Sequence, residues 1–70
     1  MDIQATKSGG HLHVVFNDRV QVSASSTEMK GKDWQDAFWA RCKSVCADSE
    51  FASELSDDDL EAFAEAIKGA

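Results

Sequence analysis

The stretch His11–Ser25, HLHVVFNDRVQVSAS, alternates apolar and polar residues on both sides of a polar triplet. Alternation with period two marks a β-strand with one buried face. Leu12, Val14 and Phe16 share a face of the first strand. Val20, Val22 and Ala24 share a face of the second. The loop decides how the rows meet. A two-residue loop at Asn17-Asp18 pairs Phe16 with Arg19 and puts the rows on opposite faces. A three-residue loop, Asn17 to Arg19, pairs Phe16 with Val20 and aligns them. A one-residue slip would turn a whole apolar row to water, so the second register is predicted. Such loops favour a left-handed residue at their end, a place that falls to Arg19.

Upstream, Asp2–Thr6 (DIQAT) is compatible with a further strand, with Ile3 and Ala5 as its apolar row and Lys7–Gly10 (KSGG) as the turn. A lone hairpin is marginal in water and needs a third strand or a helix over its apolar face.

Downstream the period changes. After the connector Ser25–Lys32, punctuated by Gly31, Asp33 is predicted to cap a helix with its carboxylate. That helix carries Trp34, Phe38, Cys42 and Val45 on one face, with Trp39 and Cys46 beside them. Arg41 and Lys43 suit its C-terminal end. Ala47–Leu55 is open between a short helical turn capped by Ser49, burying Phe51 and Leu55, and a broken continuation of the helix.

Ser56-Asp57-Asp58-Asp59 then stands directly before Leu60, Phe63, Ala64 and Ile67. This is a helix N-cap with an acidic first turn, followed by an i, i+3, i+4, i+7 stripe. Lys68 and Gly69 end the helix. The predicted fold is α+β: an antiparallel hairpin or three-stranded meander, then two helices, with room for a short third, packed on one face. Residues 1–70 are expected to form a single domain. Its core is Leu12, Val14, Phe16, Val20, Val22, Trp34, Phe38, Cys42, Val45, Phe51, Leu55, Leu60, Phe63 and Ile67.

The net charge of −6 is unevenly placed. Residues 1–47 hold six cationic against five acidic residues, leaving +1. Residues 48–70 hold eight acidic residues against Lys68 alone, leaving −7. Such a field repels nucleic acid and steers basic partners. Helix capping accounts for one or two of the aspartates. Asp58, Glu61 and Glu65 are left over, and Glu61 and Glu65, four apart, repel each other.

Several chemistries fail on spacing. Asp57, Asp59 and Glu61 open like a calcium loop, but Ala62 stands where a glycine is required and Lys68 where a glutamate closes the loop. His11, His13, Cys42 and Cys46 are zinc-type ligands without the spacing of a finger, and the hairpin register turns both histidines away from the helices. Cys42 and Cys46 lie late in a helix, where a thiolate is disfavoured, and a bridge between them would be strained. Reduced, partly buried thiols are expected. Gly9-Gly10 is not a phosphate loop. No nucleophilic triad is arguable, and an enzyme is not expected. No apolar run reaches the ~18 residues of a membrane span, and Met1-Asp2 does not open a signal peptide, so a cytoplasmic protein is expected.

The leading expectation is a small acidic module that binds another protein and regulates or inhibits it. Its last helix would present Asp58, Glu61 and Glu65 to a basic surface, competing as an acidic mimic where that surface binds nucleic acid. Trp39 is the candidate apolar anchor, since tryptophan is enriched in binding hot spots. By analogy of size and charge alone, a stand-alone inhibitor of the kind found in viral and mobile genomes would fit. No cofactor, membrane contact or direct nucleic-acid contact is expected. One alternative is a structural homo-oligomer joined through the hairpin edge or through spare aromatic surface, with Val15 and His13 on the outer hairpin face. Another is a zinc-stabilised module.

Overall fold

In the computed structural model, which describes residues 1–70, Phe16 pairs with Val20 and Val14 with Val22. The apolar rows of β2 (His11–Phe16) and β3 (Val20–Ser25) therefore coincide, as the alternation requires. The loop differs in one respect. The left-handed residues are Asn17, with φ 55°, and Asp18, with φ 58°, not Arg19. Asn and Asp tolerate this region far better than a long side chain does. The Arg19 N–H closes the turn on the Phe16 carbonyl at 3.1 Å.

β1 (Ile3–Ser8) is present and completes a three-stranded antiparallel meander in the order β1-β2-β3. Gly9 and Gly10, both at positive φ, make its two-residue turn into β2, and Ser8 pairs with His11. At the other end the Asp2 N–H donates to Asn17 Oδ1 at 3.1 Å, and the Asn17 N–H donates to the Asp2 carbonyl at 2.8 Å. The β2–β3 turn thus also pins the start of β1.

α1 (Trp34–Ala47) lies along β3 and α2 (Asp57–Lys68) along β1, both on the apolar sheet face. The core joins Leu12, Val14, Phe16, Val20, Val22 and Ala24 of the sheet to Phe38, Cys42, Cys46, Leu55, Phe63 and Ile67. Phe63 sits at the centre, its ring 5.8 Å from Phe38 and 4.8 Å from Trp39.

Four apolar residues depart from the predicted core. α1 is rotated so that Phe38, Cys42 and Cys46, spaced by four, face inward, and Val45 is left 38% exposed. Trp34 is only half-buried, its ring 6.3 Å from Phe38. Leu60 is also 38% exposed. Phe51 is 50% exposed and lies under the Arg19 guanidinium at 5.2 Å, a cation–π contact outside the core. The segment carrying Phe51 is a turn, not a helix. The Phe51 N–H donates to Ser49 Oγ at 3.1 Å, and Leu55 alone is buried. The one further helical turn is a 3₁₀ turn at Glu28–Lys30, inside the connector.

The two helix starts also part ways. Ser56 is extended and forms a full capping box: the Asp59 N–H donates to Ser56 Oγ, and the Ser56 N–H donates to Asp59 Oδ2 at 2.9 Å. Asp33 makes no side-chain cap bond. Its backbone, at φ −106° and ψ 25°, is not extended, because α1 continues out of a turn in which the Trp34 N–H already bonds the Gly31 carbonyl. Nor do cations close α1, since Arg41 turns aside to Glu28 and no basic residue stands in the last turn. Ser56→Ala is therefore expected to cost about 1 kcal/mol, and Asp33→Ala only a few tenths. Urea midpoints of the two variants check this, and equal losses would contradict it.

Candidate protein-binding surface

α2 turns Phe63 and Ile67 to the core. At about 100° per residue, Asp58, Glu61 and Glu65 fall roughly 140° to 160° round the helix from Phe63. All three are exposed. They form a single stripe on the side of α2 turned away from the sheet. Asp57 and Glu54 are exposed nearby in sequence. The only ion pair within 4 Å in the molecule is Arg41–Glu28, at 2.9 Å, on the far side of α1. None of the eight carboxylates from Asp48 to Glu65 has a cationic partner.

The capping box explains Asp59, whose carboxylate is held by Ser56 and is half-buried. The helix dipole favours Asp57 and Asp58 at the first turn. Glu61 and Glu65 gain from neither effect.

Trp39 is half-buried, and its ring packs on Phe63. It seals the seam between α1 and α2 with one side open to solvent. The structure thus brings Asp58, Glu61 and Glu65 together and sets Trp39 apart at the seam.

The zinc-type side chains do not converge. His11 and His13 stand on the sheet face opposite the helices, 6.1 Å apart, with His13 Nδ1 hydrogen-bonded to Ser23 Oγ at 2.7 Å. Cys42 and Cys46 are buried on the other side as free thiols. Burial pushes the Cys42 thiol up to about 12, with the neighbouring Cys46 adding to the effect and Arg41 opposing it. Burial, and then the Asp59 charge, raise Cys46 as well. Both are poor nucleophiles at neutral pH.

One cleft of about 280 Å³ opens between α1 and β3, lined by Ala24, Glu28, Trp34, Ala37, Phe38 and Arg41. It lies just under the ~300–1,000 Å³ range of small-molecule sites. Arg41 spans its mouth, bonding Glu28 Oε2 and the Ser23 carbonyl, each at 2.9 Å, with its guanidinium 5.2 Å from the Phe38 ring. The arginine is thus committed to structure.

Sequence reasoning did not find the condition of the two sheet edges. The outer edge of β3 is guarded, because Arg41 takes the Ser23 carbonyl and the Glu28 N–H bonds Ser25 Oγ. The outer edge of β1 has no such cover. No helix of the molecule is long and apolar enough to cross a membrane. No family model, curated protein or solved structure matches this chain.

Proposed function

We propose that this chain is a protein-binding module that regulates or inhibits a partner by covering a basic surface with the acidic side of α2. Asp58, Glu61 and Glu65 make the charged contact, and Trp39 supplies apolar contact at the seam. One observation carries the reading: eight carboxylates between Asp48 and Glu65 lack any cationic partner, although the rest of the chain holds seven cations. Internal stability does not ask for Glu61 and Glu65, since like charges four apart on a helix cost a few tenths of a kcal/mol. A basic partner would turn that repulsion into attraction. Where the covered surface binds nucleic acid, the module would compete with it. The charge would act chiefly on the association rate, with apolar contacts setting how long the complex lasts.

The test is capture of partners on the tagged chain from nuclease-treated lysate, eluted by a salt gradient. A basic protein released at moderate salt is expected. Its association rate with the purified chain should fall about tenfold or more in the triple variant Asp58→Asn, Glu61→Gln, Glu65→Gln. An unchanged rate in that variant would overturn the reading.

A further inference from the structure

The register of the sheet decides what its outer face, opposite the helices, presents. His13 stands between Thr6 of β1 and Ser23 of β3, and His11 between Ser8 and Ser25. Side chains of directly paired residues share a face, so the two imidazoles of β2 lie among hydroxyl groups. The one cation carried by the strands, Lys7, pairs with Leu12 and belongs to the helix side. No strand lysine or arginine therefore repels a cation here, and the net charge of −6 attracts one.

The two rings are close neighbours. Their centroids are 6.1 Å apart and their planes are tilted by 46°. Two imidazole nitrogens that share an ion, each at about 2.0–2.1 Å, place their ring centres about 5 to 6 Å apart. The exposed His11 ring needs only a small side-chain rotation to close that gap. His13 is already held. Its Nδ1 lies 2.7 Å from Ser23 Oγ, and the Gln21 amide nitrogen lies 3.3 Å from that Nδ1 and 3.4 Å from the same Oγ. Engagement of Nδ1 leaves Nε2 for another partner. A metal-binding histidine is supported in this way, with one nitrogen on the ion and the other on a fixed neighbour.

We propose that His11 and His13 chelate one divalent transition ion of the nickel, copper and zinc group on the outer face of the sheet. His13 ligates through Nε2 while its Nδ1–H donates to Ser23 Oγ. Imidazole suits these ions, whereas magnesium and calcium take oxygen ligands. No group of three His, Cys, Asp or Glu ligands occurs in the molecule, so the ion keeps open positions that water fills. Cys42 and Cys46 take no part, because they are buried under the other face. Both histidines also stand outside the core cluster, so the fold does not depend on the ion. The site is independent of the acidic stripe on α2.

The probe is zinc(II), added to the full chain in excess magnesium so that carboxylates are already occupied. The heat of binding and the histidine ring nitrogen resonances are read. One ion per chain is expected, with the ring nitrogens of His11 and His13 shifting together. His11→Ala and His13→Ala should each weaken binding about tenfold or more. Ser23→Ala keeps both ligands but loses the group that orients His13, and should weaken binding about tenfold. Urea midpoints of the three variants, measured with a chelator present, should stay close to that of the parent. Parental affinity in either histidine variant would overturn the proposal. So would loss of binding in the triple variant Asp58→Asn, Glu61→Gln, Glu65→Gln, which would place the ion on α2. One ion shared by two chains, at twice the chain mass, would make it a bridge between copies and overturn the open coordination. Unfolding of the parent by the chelator alone would make the ion structural and overturn it as well.

Discussion

Phe63→Ala is expected to leave the chain largely unfolded at room temperature. The ring is fully buried and is the one α2 side chain stacked on both Phe38 and Trp39. Truncating a buried phenylalanine costs about 3 to 5 kcal/mol, from lost burial and from the cavity left behind. A 70-residue domain has only about 4 to 10 kcal/mol in total. No disulfide is present to hold the remainder together. Leu60→Ala, one turn earlier on the same helix, removes a side chain that is already 38% exposed and should cost about 1 kcal/mol or less. Urea unfolding followed by far-ultraviolet circular dichroism separates the two. If Phe63→Ala kept its midpoint within about 1 kcal/mol of the parent, the helix–helix seam described above would be wrong.

That contrast between Phe63 and Leu60 also marks what the sequence could and could not reveal. Both sit in the i, i+3, i+4, i+7 stripe, and the spacing alone does not order them. What separates them is the rotation of α2, which stacks Phe63 on Phe38 and Trp39 of α1 and leaves Leu60 partly open to solvent. β2 and β3 were legible because their alternation is broken only at Val15 and a slip of one residue is heavily penalised. β1 was faint, because its core-facing row is Ile3, Ala5 and Lys7, with one large apolar residue in three. α1 carries more apolar residues than its buried face can use. Trp34, Trp39 and Val45 crowd around Phe38, Cys42 and Cys46, so the stripe alone does not fix the rotation. Phe51 looked like a core residue by type, but the turn capped by Ser49 leads it outward to Arg19.

The candidate surface was partly legible for a related reason. Charge on a helix is read directly from spacing, so the grouping of Asp58, Glu61 and Glu65 needed no structure. Whether Trp39 shares their side depends on how two helices pack, which residue spacing within one helix does not encode. The open edge of β1 was hidden for the same reason. Alternation says which face of a strand is buried, and says nothing about which strand is outermost or whether an arginine from elsewhere covers it.

The fold should also lose stability in alkali, through the two buried thiols. Cys42 is wholly buried, and its pKa is pushed up from 9.0 to about 12, first by burial, then by Cys46, with Arg41 working against the shift. Cys46 moves in the same direction. In the unfolded chain the Cys42 thiol gives up its proton near 9, whereas the folded chain keeps it until about 12. Between those values the unfolded state binds fewer protons than the native state, so stability must fall as pH rises. The contribution is complete below pH 9 and is lost progressively as pH climbs towards 12. Three pKa units correspond to about 4 kcal/mol, comparable with the whole stability of a small domain. Urea midpoints at pH 7, 9, 10 and 11 test this against Cys42→Ala. The variant should start lower, because a buried sulfur is gone, and then decline less steeply above pH 9. It keeps every lysine and arginine, so their titration is common to both proteins and cancels in the difference. Parallel decline of the two curves would mean that alkaline unfolding has another source and that Cys42 is better solvated than its place in the core implies.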